Sequence, residues 1–384
     1  MSTEMKKIPF GRPVFSGREL EEIRKVLDSG ILTHGPVTRK FEEVFAGFIG
    51  TEFALAVSSC TAALHLSLMA LDIGPGDEVI VPAMTHTATA HVVELCGAKP
   101  VFADVLLRTG NIDVEKIEKK ITSRTRAIEV VHFLGLPGPM DEIDAIVEKK
   151  NLSIIEDCAL SLGALYKGRK TGSLGLTGNF SFYPIKHITT SEGGMLTTND
   201  ERIASHACRQ RAFGIDRSIE ERKTPGIYDV KYLGNNYRMS EIQAALGLLQ
   251  MEAFQVFNKK RQNNYMKLRT LLEDIPTIEV FQELEKDLIS AHYCLNIIVR
   301  ENCDLSREEV VSQLNNLGVG TSVYYGRPVP LMSYYSQKYG YAPGDFPNAE
   351  FISNNSIALP VGPHLNEEDM VYIAECVKKV CIWV

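Results

Sequence analysis

Along its N-terminal two-thirds the chain switches repeatedly between apolar residues spaced as on a helix and short apolar runs bounded by turn residues. Leu20, Ile23, Val26 and Leu27 follow Ser16-Gly17 at helical spacing, and Gly30 ends that pattern. Phe41 to Phe48 is a second amphipathic helix closed by Gly50. Phe53 to Val57 reads as a strand, after which Ser58-Ser59-Cys60-Thr61 caps an apolar helix from Ala62 to Leu71. Strands at Val79–Val81, Pro100–Ala103, Ala127–Phe133 and Ser153–Glu156 then alternate with helices at Thr87–Leu95, Val114–Ile121 and Met140–Lys149. Phe180–Phe182 and Gly194–Thr198 add two more strands. Such alternation predicts an α/β fold whose mostly parallel sheet is covered on both faces.

The pattern changes character farther on. A long helix runs from Ser240 to Phe257 and continues, with an optional kink, through Tyr265 to Leu272. Ser290–Val299 and Gly320–Tyr325 read as strands, and Arg307–Leu317 and Glu367–Val380 as helices. This is a smaller α+β unit. The chain therefore divides near residue 255, into a large domain at 1–255 and a small one at 256–384, with the N-terminal segment free to pack on the small domain.

Composition narrows the classes. The 384 residues are 45% hydrophobic and 23% charged, as in ordinary globular proteins. A net charge of −7 gives no reason to expect nucleic acid as a partner. No apolar stretch is long enough to span a membrane, and Met1–Lys7 lead into Ile8-Pro9-Phe10 without a signal-like apolar core. The eight cysteines are scattered, with no Cys-x-x-Cys pair, and read as reduced thiols in a cytoplasmic protein without a metal site.

The candidate chemistry centres on Lys186, in Ser181-Phe182-Tyr183-Pro184-Ile185-Lys186-His187-Ile188-Thr189-Thr190-Ser191-Glu192-Gly193-Gly194. A lone lysine after a strand is ordinarily a surface residue. Here aromatic residues precede it, and the following run is poor helix or strand material, which suggests a tight buried turn. A desolvated lysine has a lowered pKa and becomes a usable nucleophile and base. Asp157 precedes it by 29 residues (186 − 157) and closes a buried strand. It reads alone as a helix cap, but the C-terminal end of a parallel strand is also where open α/β sheets bind ligands. A strand-terminal aspartate with a lysine beyond it is how many pyridoxal 5′-phosphate (PLP) enzymes hold their cofactor, the lysine as Schiff base and the carboxylate on the pyridine nitrogen.

Ser58-Ser59-Cys60-Thr61-Ala62-Ala63-Leu64 enters a helix N-terminus, a site that attracts phosphate or simply caps the helix. His86 follows a strand, either as a satisfied loop histidine or as a flat ring against a heterocycle. Arg209, Arg211 and Arg238 are candidates for anionic groups or for structural ion pairs.

Taken together, these residues resemble the DegT/DnrJ/EryC1/StrS family of PLP-dependent sugar aminotransferases over nearly the whole chain. The lysine block and Gly234-Asn235-Asn236-Tyr237-Arg238-Met239-Ser240-Glu241-Ile242-Gln243-Ala244-Ala245 are its most specific motifs. Ile8-Pro9-Phe10-Gly11-Arg12-Pro13, Val57 to Leu64, Gly74 to Pro82 and Val131-His132-Phe133-Leu134-Gly135 also carry it. The resemblance implies a fold-type I transferase, with a mostly parallel seven-stranded sheet and a smaller C-terminal α+β domain. It implies PLP held by Lys186, which also moves protons, and Asp157 on the pyridinium nitrogen. Thr61 and Ala62 would bind the phosphate through backbone amides, joined by the Ser181 hydroxyl, and His86 would stack on the ring. Asn236 would reach the phosphate in the neighbouring subunit, which implies a homodimer with shared active sites. Glutamate would be the amino donor and a nucleotide-linked keto-sugar the acceptor, for surface polysaccharide or a secondary metabolite.

Some positions depart from the family pattern. Leu160 stands where a glutamine is usual, Leu162 where a histidine is, and Cys60 where a glycine is. Tyr324-Tyr325-Gly326-Arg327-Pro328-Val329-Pro330 replaces a His-Tyr-x-Pro-Leu-His pattern on the substrate side. A smaller phosphorylated keto or aldehyde acceptor therefore stays open. The sugar dehydratase branch is a rival, but it replaces the lysine that this chain keeps. A PLP-bearing regulatory protein is a weaker rival, since no DNA-binding motif is present.

Overall fold

In the computed structural model of the protein, the described residues are 6–216, 224, 226–281 and 286–382. Residues 1–5, part of the segment read as lacking a signal, lie outside them.

The chain begins with α1 (Glu19–Ser29) and α2 (Pro36–Ile49), each ended by a glycine with positive φ, Gly30 and Gly50. Then follow β1 (Phe53–Val57), α3 (Cys60–Ala70), β2 (Glu78–Pro82), α4 (Thr87–Leu95), β3 (Lys99–Ala103) and α5 (Val114–Lys120). Next come β4 (Thr125–Val131), α6 (Met140–Lys150), β5 (Ser153–Asp157) and a small hairpin of β6 (Leu165–Tyr166) and β7 (Arg169–Lys170). β8 (Thr177–Ser181), β9 (Gly194–Thr198), α7 (Glu201–Gln210) and the long α8 (Glu241–Leu272) complete the larger unit.

Seven strands form one sheet in the order β1-β9-β8-β5-β4-β2-β3. The strands from β3 through β8 pair in parallel, and β9 runs antiparallel between β8 and β1. Alternation along the strands assigns their faces. Val79, Val81, Ala127 and Ile155 pack with Leu64, Leu68, Val92 and Val93 of α3 and α4. Ile80, Ile128, Val130 and Ile154 point the other way, onto Met140, Ile143, Ile146 and Val147 of α6. With both faces covered, polar residues at several strand ends, among them Glu78, Thr125, Asp157 and Thr177, are buried, and the C-terminal edge of the sheet becomes a sheltered rim.

The smaller unit carries β10 (Ile278–Val280), β11 (Leu288–Ile289), β12 (Leu295–Val299), α9 (Arg307–Asn316), α10 (Ser333–Tyr339), α11 (Pro347–Asn355), β13 (Ser356–Leu359) and α12 (Glu367–Ile382). β10, β12 and β13 make an antiparallel sheet, while β11 pairs back onto β6 of the larger unit. Ile8 docks on the smaller unit, bridging Val319 with bonds of 2.8 Å to Gly318 and from Gly320. Among the described residues no helix is long and apolar enough to cross a membrane.

Several elements differ from their sequence pattern. α8 is one helix of 32 residues and passes unbroken through residue 255. Its start is a capping box in which Ser240 and Gln243 satisfy each other's backbone amides. The expected strand over Ser290–Val299 begins only at Leu295, because His292 sits at φ 50 and interrupts the extended run. Gly320–Tyr325 pairs with β13 only at Ser322–Ala358, then turns so that Tyr324 and Tyr325 enter the interior. α7, α10, α11 and the β6–β7 hairpin were not among the expected elements, although α7 places Ile203, Ala204, Ala207 and Gln210 on one buried face.

His292 packs its ring 4.4 Å from that of Tyr265. Burial, with Arg261 and Arg269 nearby, pushes it down to about 4. The unfolded chain takes up this proton near pH 6.5, so the folded state loses stability as pH falls from about 6.5 toward 4. Asn tolerates the positive φ. His292→Asn should therefore reduce the stability lost between pH 7.5 and pH 5 by about 2 kcal/mol, read from denaturant midpoints at the two pH values. An unchanged pH difference would show that His292 titrates normally in the folded protein.

Candidate active site

β5 ends in an acidic pair whose members face opposite ways. Glu156 points into a fully buried cradle. It accepts amide bonds from Gly172, Leu174 and Gly175 at 2.7–2.8 Å and meets His132 Nε2 at 2.9 Å. His132 Nδ1 accepts from the Gly138 amide, so Nε2 carries the proton and donates to Glu156. Cys158 completes a group whose ligating atoms lie within 4.8 Å of one another. The carboxylate is already filled by four donors, and burial pushes the Cys158 thiol far up and keeps it protonated. This cluster locks the end of β5 and the β7–β8 turn and has no open coordination to offer a cation.

Asp157 faces the α3 and α4 side. Its Oδ2 accepts the Thr89 hydroxyl at 2.9 Å, with Thr85 and Thr89 hydroxyls 2.7 Å apart, and its Oδ1 accepts the Ala159 amide at 3.0 Å. No helix follows Asp157; the bond to Ala159 makes a turn, so the helix-cap reading fails. The supporting threonines flank the first turn of α4 at a spacing of four. That spacing was legible in Thr85-His86-Thr87-Ala88-Thr89, but nothing in the sequence named Asp157 as their target.

Lys186 lies in the loop between β8 and β9. The loop closes on itself through Phe182–Gly193 and Thr190–Phe182 backbone bonds of 2.9 and 3.0 Å. The hydroxyls of Thr189 and Thr190 bond to loop carbonyls, of Phe182 and Glu192. The polar run after the lysine thus forms the tight buried turn its composition suggested. The Lys186 ammonium lies 5.4 Å from the Tyr293 ring centre. Burial lowers its pKa, and the nearby Cys60 and Asp157 only partly oppose that. A share of the amine is therefore neutral at a lower pH than in free lysine.

The start of α3 enters the same region. Ser59 caps the helix by accepting the Ala62 amide at 3.1 Å, so that amide is already bonded within the turn. The Thr61 hydroxyl has no partner among the described residues. β9 crosses this turn so closely that a Cβ on Gly194 would stand 2.4 Å from the Ser59 carbonyl carbon and 2.6 Å from the Cys60 nitrogen. Cys60 Sγ sits 3.4 Å from the Asn179 carbonyl and 4.0 Å from Asp157. Burial first, and then Asp157, raise its thiol far above the usual range, so it stays neutral.

His86 caps α4 through Nδ1, which accepts the Ala88 amide, and its ring meets Tyr325 edge-on at 6.1 Å. Burial lowers its pKa, with Asp157 opposing and Lys186 adding to the shift. Tyr325 is itself raised by burial and by Asp157. Lys186, Asp157, Cys60, His86 and Tyr325 thus lie within electrostatic reach of one another. Ser181 sits at the end of β8, its hydroxyl 3.4 Å from the Tyr183 amide.

Other candidates lie apart. Asn236 is exposed, on a segment bridged to Ala212. Arg211 forms a structural pair with Glu42 and bonds the Ala56 carbonyl at 2.8 Å. Arg209 and Arg238 line a separate cleft of about 830 Å³. Leu160 and Leu162 are both packed in hydrophobic clusters. Glu129, which the sequence reading passed over, is fully buried beneath this face with no hydrogen-bond partner for either oxygen. Burial, then Asp157, push its carboxyl well up, which leaves it a neutral acid.

Comparison with known proteins decides the lineage. The sequence profile of the DegT/DnrJ/EryC1/StrS aminotransferase family matches residues 14–378. The chain belongs to that family. It is 35% identical over 377 residues to the spore coat polysaccharide biosynthesis protein SpsC of Bacillus subtilis, covering 97% of each chain. Its fold matches the putative sugar aminotransferase Spr1654 of Streptococcus pneumoniae in the PMP-form, with a TM-score of 0.92 and 29% identity, over 98% of this chain and 99% of that one. Helicobacter pylori PseC, an aminotransferase involved in the biosynthesis of pseudoaminic acid, matches with a TM-score of 0.91 and 30% identity, over 99% of this chain and 100% of that one. The expected fold-type I architecture, with its seven-stranded sheet and smaller C-terminal domain, is met.

Gly194→Ala should cost about 3 kcal/mol and disturb the α3 turn, because backbone rather than side chain fills the space. Chemical denaturation reads the loss; an unchanged midpoint would mean that the strand does not press on this helix start.

Proposed function

We propose that this enzyme transfers the amino group of glutamate to a nucleotide-linked keto-sugar, in the cytoplasm, for a surface polysaccharide or secondary metabolite. The enzyme is a PLP-dependent aminotransferase. The observation that carries the reading is the meeting of Lys186 and Asp157 at the C-terminal edge of the parallel sheet, beside the N-terminus of α3. The relationship to SpsC and the likeness to Spr1654 support a sugar as acceptor.

The residues present fit the cofactor. Lys186 would hold it covalently, and Asp157 would face its ring nitrogen. His86 would cover the ring. The amides of Thr61 and Ala62 and the hydroxyl of Ser181 would take the phosphate, with Ala62 sharing an amide that now bonds Ser59. Bound there, the cofactor supplies an electron sink for the pair left when a substrate carbon gives up its proton. The protein's part is to fix charge and to move that proton. Asp157 is held against reorientation by Thr89 and Ala159. Lys186, once a substrate amine has displaced it, would be the base of lowered pKa that takes the proton from the substrate carbon and holds it for return.

The homodimer rests on Asn236. It is exposed beside Phe213, Ile227, Val230 and Leu233, apolar residues that are themselves exposed. A second copy covering this surface would bury them and bring Asn236 to the other active site. The eight free cysteines support a reducing compartment.

Glutamate added to the PLP-loaded protein should convert the visible cofactor band to the pyridoxamine form, and Lys186→Ala should lower turnover at least 10³-fold, at about 1.4 kcal/mol of barrier per tenfold. A variant that kept full turnover would remove Lys186 from the chemistry.

A further inference from the structure

Covering a ring asks of His86 only that its side chain be flat. Its hydrogen bonds do more. His86 is the N-cap of α4: Nδ1 accepts the Ala88 amide at 3.1 Å, and its carbonyl accepts the Thr89 amide at 3.2 Å. An imidazole nitrogen that accepts a hydrogen bond carries no proton, so the ring is neutral and its proton is on Nε2. The helix dipole favours the same form, because a cation is repelled at a helix N-terminus.

The turn that His86 caps carries the support of Asp157. Thr89 donates its hydroxyl to Asp157 Oδ2 at 2.9 Å. With that proton committed, the Thr85 hydroxyl, 2.7 Å away, donates to the Thr89 oxygen. Both threonines are fully buried. His86 lies between them in the chain and is exposed, so solvent protons reach it. A proton on Nδ1 would face the Ala88 N–H. The first turn of α4 would then lose its cap, and with it the anchor of the Thr89 hydroxyl.

The titratable groups around His86 are Asp157 from β5, Lys186 from the β8–β9 loop, His91 from α4 itself and Tyr325 from the smaller unit. Burial lowers the His86 pKa most; Asp157 opposes the shift, and Lys186 and His91 add to it. The cap is therefore intact at pH 7.5 and is lost as pH falls below the usual 6.5 of a histidine.

We propose that His86 is a positioning residue for Asp157, which it holds toward the cofactor's ring nitrogen by capping the turn of α4 that carries Thr89. This rests on Asp157 as the partner of that nitrogen. Substitution separates the cap from the cover. A phenylalanine covers the ring and leaves the turn uncapped. An asparagine caps the turn, takes up no proton and leaves the ring uncovered.

The test titrates pyridoxamine 5′-phosphate, which binds without a bond to Lys186, calorimetrically into the cofactor-free protein at pH 7.5 and 5.0. The cofactor's own groups titrate alike with every variant, so the ratio of the two dissociation constants is compared between proteins. The parent's ratio, Kd at pH 5.0 over Kd at pH 7.5, should exceed that of His86→Asn about 5-fold, the size of one lost helix cap. His86→Phe at pH 7.5 should bind about 5-fold more weakly than the parent, with the ratio of His86→Asn. Thr89→Val, which cuts the link to Asp157, should show that same ratio. Should His86→Phe fail to fold, the other two variants decide. Equal ratios in the parent and His86→Asn overturn the proposal, as does His86→Phe binding as tightly as the parent, where covering the ring is the whole role. The parental ratio in Thr89→Val overturns it too, since the cap then acts elsewhere than on Asp157. If Asp157→Asn binds the cofactor as the parent does, the assignment of Asp157 falls and the proposal with it. Weakened binding in Asp157→Asn beside equal ratios in the parent and His86→Asn removes the proposal alone.

Discussion

The structure turns on how β5 ends. Two adjacent carboxylates must be accommodated in a region from which water is largely excluded, and the fold treats them in opposite ways. Glu156 is surrounded by three amides and a histidine N–H, so its charge is absorbed locally and its position is fixed. Asp157 takes the Thr89 hydroxyl and the Ala159 amide, with the Cys60 thiol at 4.0 Å, and so has fewer close donors than Glu156. Burial first, and Asp157 second, hold Cys60 and Tyr325 in their neutral forms and leave Glu129 a neutral acid, while at Lys186 burial lowers the pKa and Asp157 partly opposes it.

Geometry then separates binding from proton transfer. The rigid parts, α3 and the end of β5, come from the sheet and its first crossover helix. The lysine comes from a loop whose hydroxyls bond its own carbonyls, so it is held without being part of the sheet. Tyr293 joins this site to the smaller unit: its ring lies by Lys186, its hydroxyl 2.9 Å from that of Tyr324, and its carbonyl on Arg261. The smaller unit is thus tied to the lysine loop through one tyrosine, whose carbonyl also holds the buried Arg261.

Much of this was legible in the sequence. The alternation of strands and helices exposed the parallel sheet, because strands buried on both faces read as continuous apolar runs. Asp157 and the Ser58–Leu64 turn stood out because they sit at element boundaries, and Lys186 because the polar run after it breaks the pattern between two strands. Arg261 was hidden because α8 carries basic residues along its exposed side as well, and only the packing of the smaller unit against that helix buries one of them. Glu129 was hidden in an otherwise apolar strand. The C-terminal elements were the hardest to see, since His292 at positive φ and the inward turn of Tyr324 and Tyr325 interrupt strands whose composition is otherwise regular.

The central claim is that Lys186 is the residue that holds the cofactor. Borohydride reduction of the PLP-loaded protein fixes the cofactor to whichever lysine carries it, and proteolysis with mass spectrometry then locates the label. The account predicts the pyridoxyl group on the peptide containing Lys186 and on no other. Labelling at a different lysine, with Lys186 unmodified, would contradict it.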